Sequence, residues 1–280
     1  MKYKALYNPL SGNGHGEELA RQLTSVLNDD IVQFFDIRSI GDYPSFFDSF
    51  LDGEALILCG GDGTINRFVN DLPSLPDLPI YYYATGSGND FLTDIGGKKG
   101  DRPVVINGYL ENLPTVTVNG KEWKFLDNVG FGIDGYCCEE GDRQRAAGSQ
   151  KINYAGIAIK GMLGSFKPRN AAVYVDGKEM NFTKVWLAPA MNGRYYGGGM
   201  IPTPDQKRGG DKLSVLVFHG SGIFKTLTIF PNIFKGTHVK AKKHCEVFEG
   251  KEIRVIFDKP TALQIDGETV LGVTEYTARK

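Results

Sequence analysis

Three apolar runs in the first ninety residues each stop at a bend of glycines and small polar residues. "YKALYN" runs into "NPLSGNGHG", "EALILC" into "GGDGT" and "PIYYYAT" into "TGSGND". Between them lie segments of helical texture. "GEELARQLTSVLN" puts Leu19, Leu23, Val26 and Leu27 on one helical face, and "YPSFFDSFL", "INRFVNDL" and "NDFLTDI" read as shorter helices. "IVQFFDI" supplies a further strand. Strands that alternate with helices imply a parallel sheet covered on both faces, a three-layer α/β domain. Parallel strands all point one way, so the bends share the carboxyl edge, where ligands of open α/β sheets bind.

The bends are chemically suited to an anion. Asn8, Ser11, Gly12, Asn13 and Gly14 follow the first strand. Gly60, Gly61, Asp62, Gly63 and Thr64 follow the third, and Gly86, Ser87, Gly88, Asn89 and Asp90 the fourth. Side-chain-poor loops bring bare N–H groups to phosphate oxygens. One such loop alone is equally well a tight turn; three along one edge favour a binding site. Asp62 has two possible roles. It can ligate a divalent cation lying between it and phosphates, or cap the following helix through the N–H groups of residues 64 or 65. No G-x-x-x-x-G-K-[ST] is present. Gly130, Gly132 and Gly135 form a G-x-G-x-x-G, but "YCCEEGDRQ" after it lacks apolar helix periodicity, so it reads as a decoy.

Beyond residue 107 the texture changes. Asn119-Gly120 and Asp176-Gly177 join extended runs as hairpins, and "KLSVLVFH", "EIRVIF" and "TALQIDGE" add strands. One helical patch, "KINYAGIAIKGMLGSF", interrupts them. Two domains are expected, 1–107 α/β and 108–280 β-rich and sandwich-like, with a cleft between them. The last strand is a candidate to return to the first domain.

A net charge of -1 provides no broad footprint for nucleic acid. Cys59, Cys137, Cys138 and Cys245 form no C-x-x-C pair, which argues against zinc and for a reducing, cytoplasmic setting. The N-terminus has no apolar signal core. No apolar run reaches the roughly 18 residues that a membrane span needs.

"NPLSG" at 8–12, "GGDGT" at 60–64 and "GSGND" at 86–90 together resemble the diacylglycerol kinase catalytic family, which includes bacterial lipid kinases and sphingosine kinases. "NVGFGIDG", "NGRYYGGGMIPTPDQ" and "QIDGE" follow in the family's order. "GGDGT" alone is shared with NAD kinases; the ordered set of six is specific. The resemblance implies the same two-domain fold, an ATP-dependent kinase acting on a lipid hydroxyl such as that of diacylglycerol, and Mg²⁺. It implies that Asn8, Ser11 to Gly14, Gly61 to Thr64 and Ser87 to Asp90 surround the nucleotide, and that Asp266 and Glu268 of the D-G-E motif serve the acceptor. On this reading Asp266 takes the hydroxyl proton, Glu268 orients it or binds metal, and Asp62 ligates Mg²⁺.

Two positions depart from the family. Ile37 stands where members often carry a nucleotide-touching Thr, leaving Asp36 or Ser39 as substitutes. "KRGGDKLSV" keeps only Asp211 where members hold a structural metal, so that second site is expected to be absent or weak. Asp94, Asp127 and Asp134 are further candidates, each equally a cap or turn residue, and His15 is a candidate phosphate contact. The segment 222–244 is apolar, then basic through Lys235, Lys240, Lys242 and Lys243. It suits either transient contact with an anionic bilayer at the inner membrane face or, the favoured reading, a core helix and strand with a solvated lysine edge. An NAD kinase or soluble polyol kinase, and a catalytically weak nucleotide- or lipid-binding protein, are the competing readings.

Overall fold

Aliphatic and aromatic residues dominate the runs that become strands in the first ninety residues. In the computed structural model these are β1 (Lys2–Tyr7), β2 (Ile31–Asp36), β3 (Glu54–Gly60) and β4 (Ile80–Ala84). They pair in parallel, in the order β2-β1-β3-β4, and a short antiparallel strand β5 (Val104–Val105) closes the edge. The structure describes residues 1–28, 30–149 and 152–280. It divides into two units, Met1–Asn112 and Leu113–Lys280.

Ala55 through Gly60 of β3 are buried without alternation, as a central strand covered on both faces must be. Tyr3, Ala5, Tyr7, Ile57 and Tyr83 pack on one face against Ala20, Leu23 and Leu27. Tyr82 points the other way and meets Phe91 edge-on. The expected amphipathic helix is broken into Gly16–Arg21 and Leu23–Leu27, yet its apolar face is kept. The division between units falls after Asn112, past the texture change at 107/108. Asn107 explains this, since its side chain accepts from Ile80 N–H and donates to Leu78 O, both at 2.8 Å, stitching its helical turn to β4.

The second unit holds β6 (Thr115–Val118), β7 (Lys121–Lys124), β8 (Asn128–Gly132), β9 (Arg169–Val175), β10 (Lys178–Val185), β11 (Leu187–Met191), β12 (Leu213–Phe218), β13 (Cys245–Gly250), β14 (Glu252–Ile265) and β15 (Glu268–Arg279). They form one antiparallel sheet, whose main path runs β13-β12-β11-β8-β14-β15-β6-β7. The two strands expected from "EIRVIF" and "TALQIDGE" are one bent strand, β14. Its first half pairs with β9 and its second with β8, with the register shifting around Pro260. Proline has no N–H to give a ladder, so the bend falls where pairing is already lost. The strand thus curls the sheet around a core of Val173, Phe131, Phe257, Leu263 and Tyr276. β15 pairs with β14 and β6, so the last strand stays in this unit.

A 14-residue helix, Ile133–Ala146, follows β8 directly, where no helix is expected from the sequence. Its periodicity is weak because small residues, not large apolar ones, face the sheet: a Cβ on Gly135 would lie 2.1 Å from Ala262 O. β8 is antiparallel to both neighbours, so the strand-to-helix step is no βαβ unit and the glycines there serve backbone packing. The helical patch in 152–165 is a helix, Tyr154–Lys160, that ends in a widened π turn, Gly161–Ser165. Lys151, the first residue of that expected patch, lies outside the described residues.

Gly132 adopts φ +114, and a Cβ there would stand 2.3 Å from Trp186 O. Both the dihedral and the contact exclude a side chain. Gly132→Ala is expected to destabilise the protein by about 3 kcal/mol or more. Urea unfolding checks this, and a loss below about 1 kcal/mol would contradict the packing described.

Candidate functional site

β1, β3 and β4 end side by side, with Tyr7 opposite Cys59 and Gly60 opposite Ala84. The loops that leave them are laced together. Gly60 O accepts from Thr85 N–H (2.8 Å), Gly86 N–H (3.0 Å) and the Tyr82 hydroxyl (3.2 Å). Asn8 donates its backbone N–H to Cys59 O at 3.0 Å and its side-chain amide to Thr64 Oγ1 at 3.1 Å. The Ser11 and Thr85 hydroxyls lie 2.7 Å apart. Asp90 N–H donates to Asp62 Oδ2 at 2.8 Å.

The glycines of the rim divide into two kinds. A Cβ on Gly86 would stand 2.6 Å from Gly61 Cα, so two main chains meet there with no room for a side chain. At Gly63 and Gly88 a Cβ would meet nothing within 4 Å. Packing accounts for the first pair. The second pair lies on open backbone, at the start of a ten-residue helix, Asp62–Asp71, and one residue before the cap of Asp90–Asp94. Helix starts present N–H groups and a positive dipole end, the environment an anion prefers.

The other expected residues fall as follows. Gly12 and Asn13 both take left-handed φ, +57 and +60, so Ser11–Gly14 is a loop rather than a regular turn of helix. Asn13, Gly14 and Ser87 are exposed, and Asn89 donates to Gly86 O at 3.2 Å. Asp62 does not cap its own helix. Thr64 and Ile65 N–H both go to Gly61 O, and the Asp62 carboxylate instead holds the next loop through Asp90. His15 is exposed and faces Glu18 at 3.2 Å. Asp36 is bound to Arg38, whose side chain holds its carboxyl below the usual value, and Ser39 turns back to Asp36 O. Lys99, unnoticed in the sequence, donates to Gly86 O at 2.8 Å and places a cation at the rim. The short basic run "GGKKG" is its only signal in the sequence.

In the second unit Asp266 and Gly267 form the two-residue loop between β14 and β15, with φ of +46 and +88. Both values are positive, as a type I′ hairpin requires. The Asp266 carboxylate accepts from the main-chain N–H groups of Leu126, Asp127 (2.8 Å) and Asn128 (2.9 Å). Asp176, in the equivalent hairpin between β9 and β10, is built the same way and accepts from Lys251 and Glu252 N–H. Glu268 is exposed at the start of β15.

The 126–128 segment is pinned from a second side. Asn192 donates its side-chain amide to Leu126 O and its N–H to Asp127 O, both at 2.8 Å. Arg208 donates to Leu126 O and pairs with the Asp127 carboxylate, and both members of that pair are buried. Asp127 is therefore half of a buried ion pair, which is costly to break from either side. Asp94 is buried on its helix. Asp211 is exposed and sits 3.7 Å from Lys251, as one side of a surface ion pair.

Residues 2–115 match the diacylglycerol kinase catalytic domain, and residues 127–278 match the YegS C-terminal NAD kinase beta sandwich-like domain. The chain belongs to the diacylglycerol kinase catalytic family. It is 27% identical over 250 residues to a diacylglycerol kinase of Mycobacterium tuberculosis (strain ATCC 25618 / H37Rv), covering 85% of this chain and 80% of that one. A crystal structure of a diacylglycerol kinase from Bacillus anthracis str. Sterne shares the fold, with a TM-score of 0.64 and 19% identity over 100% of this chain and 94% of that one. The first match takes in all three laced loops, and the second takes in Asp127, Asn128 and the Asp266 turn.

Asp134, in the first turn of Ile133–Ala146, is a buried acid with a displaced titration. Burial pushes its carboxyl up to about 7, against the opposing pull of Gly135 N–H and the Gln264 amide. The folded value lies above the ordinary value of 3.8. The folded state therefore holds the proton between about pH 4 and 7 while the unfolded chain does not, and stability falls as pH rises through that window. Asp134→Asn is expected to remove that slope, stabilising the protein more at pH 8 than at pH 4.5, by up to about 4 kcal/mol. Denaturant melts at the two pH values check this; an equal effect at both would show that Asp134 does not titrate there.

Proposed function

We propose that this protein transfers the terminal phosphoryl group of ATP to a hydroxyl of a diacylglycerol-like lipid. The observation that carries the reading is the laced rim, where three loops are locked together by their own hydrogen bonds while Gly63 and Gly88 leave open backbone at helix starts. Phosphoryl transfer needs positioning and neutralised charge more than covalent help. A preorganised rim meets the first need, since its donors need no rearrangement when the phosphates arrive.

In this reading the triphosphate lies along residues 60–64 and 86–90, with Asn8 and the 11–14 loop at its flank. Lys99 adds positive charge beside Gly86. Among the described residues no three His, Cys, Asp or Glu gather to hold a metal. That donor set does not fit a dedicated protein cage. It fits Mg²⁺ arriving with the nucleotide, because Mg²⁺ keeps waters and takes one or two carboxylates plus phosphates. We assign that carboxylate to Asp62, at the start of the helix after β3, which also accepts from Asp90 N–H. Bound there, the cation neutralises phosphate charge.

The acceptor's oxygen forms the new bond to the terminal phosphorus as the bridging bond breaks, ADP leaves, and the hydroxyl proton goes to a base. The sequence points to Asp266 for that base. We assign Asp266 a different task, because both its oxygens accept main-chain N–H bonds that fix the 126–128 segment to the turn. We therefore assign the proton to Glu268, the exposed acid of the same motif, with Asp266 as the residue that positions it.

The experiment offers labelled ATP and Mg²⁺ with diacylglycerol, phosphatidylglycerol, sphingosine and NAD, and separates the products by thin-layer chromatography. A labelled lipid is expected; label on NAD alone, or on nothing, overturns the reading. Glu268→Gln is expected to lower kcat by roughly 10²–10⁴ with unchanged ATP affinity and melting. Asp266→Asn is expected to lose about 2 kcal/mol of stability as well, because its amide turns a donor toward backbone donors. Normal turnover by Glu268→Gln would return the base to Asp266.

A further inference from the structure

Two segments of the second unit, 152–168 and 221–244, have an unusual composition for this chain. Together they hold seven lysines, no arginine and neither Asp nor Glu, although the whole chain has 32 basic and 33 acidic residues. They also hold six of the fourteen large apolar side chains that stand exposed among the described residues: Tyr154, Ile159, Leu163, Ile223, Phe224 and Phe234. The segments share one core, with Ile157, Ala158, Met162 and Phe166 of the first meeting Ile229 and Ile233 of the second. The turn Gly161–Ser165 packs against helix Ile223–Ile229.

Helical spacing divides each segment into an inner and an outer side. Ile157, Ala158 and Met162 face the core, while Ile159 and Leu163, four residues apart, are exposed. Thr226 and Ile229 are buried, while Ile223, Phe224 and Lys225 are exposed, and Phe224 is 86% accessible. The 222–244 region is therefore not the core helix and strand expected for it. It is a helix followed by two 3₁₀ stretches, Phe230–Lys235 and Thr237–Lys240, with no strand until Cys245. Lys225 and Lys235 flank the apolar side chains, and Lys240, Lys242 and Lys243 follow. Lys160 is the exception, because it lies near Glu140 of the neighbouring helix.

We propose that this face docks the protein on a bilayer containing anionic lipid. Exposed apolar side chains with exposed lysines close to them along the chain match the chemistry of a membrane interface, where ring and aliphatic groups enter the acyl boundary and ammonium groups stay among the headgroups. A protein partner fits less well, since protein interfaces are depleted in lysine and enriched in arginine. No described helix is long and apolar enough to cross a membrane, so the contact is a surface one. The choice of a bilayer over other anionic surfaces rests on the lipid-kinase reading.

The test needs neither ATP nor turnover. The full chain is spun with vesicles of phosphatidylcholine alone and of phosphatidylcholine with phosphatidylglycerol. It is expected to sediment with the anionic vesicles only, and less so as salt rises. Phe224→Asp is expected to lower that binding at least roughly tenfold, and neutralising Lys225 or Lys235 to Gln roughly fivefold each. All three variants should keep the wild-type melting temperature and the wild-type rate on a short-chain, water-dispersed diacylglycerol. Three outcomes overturn the proposal: no vesicle binding by the wild type, vesicle binding by Phe224→Asp equal to wild type, or a dimeric wild type that Phe224→Asp makes monomeric. Vesicle binding without any lipid phosphorylation would overturn the kinase reading and leave the docking face standing.

Discussion

The Gly60 carbonyl is the anchor of the loop-bearing edge of the N-terminal unit. It accepts two successive N–H groups, from Thr85 and Gly86, and the Tyr82 hydroxyl. That convergence is possible only because Gly61 and Gly86 bring their main chains to a distance that no Cβ would allow. Once the β3 and β4 loops are joined, Asp62 reaches Asp90 N–H and Thr64 receives Asn8. The rim is thus held by main-chain bonds to Gly60 and Cys59 and by side chains already fixed in hydrogen bonds, which limits rearrangement when a ligand enters. Rigid donors of this kind lose little on binding, which is how a loop can be both glycine-rich and preorganised.

The C-terminal unit uses an analogous device with carboxylates. Asp176 and Asp266 each sit at the first position of a positive-φ hairpin, and each draws main-chain N–H groups of a neighbouring segment onto its oxygens. In both, a turn that would otherwise be a mobile tip is tied to the body of the sheet. Arg208 and Asn192 then hold the far side of the segment that Asp266 grips. In the proposed mechanism this gives a division of labour within one short motif: Asp266 fixes the turn, and Glu268, two residues on, takes the proton.

Local pattern and tertiary packing had different reach in this chain. The parallel strands of the first unit were legible because three of their four apolar runs end at a glycine bend, and period and punctuation agree. The Asn-Gly and Asp-Gly hairpins were legible for the same reason, since only residues tolerant of positive φ satisfy a type I′ turn. The helix Ile133–Ala146 was not, because it packs through small residues such as Gly135 and leaves no apolar stripe to count. The single strand β14 was not, because its bend at Pro260 looks locally like a strand boundary.

The sequence by itself determined the glycine rim, the ordered motifs and the family, because those depend on residue identity at fixed local spacing. Only the tertiary structure decided what the acids do. Asp62 bonds across to the next loop, Asp127 is sealed against Arg208, Asp134 is driven toward neutrality by burial, and Asp266 is spent on three backbone N–H groups. A carboxylate's role depends on which donors and charges surround it and on how much water remains near it. Those neighbours come from residues tens or hundreds of positions away, so no local reading could have assigned them.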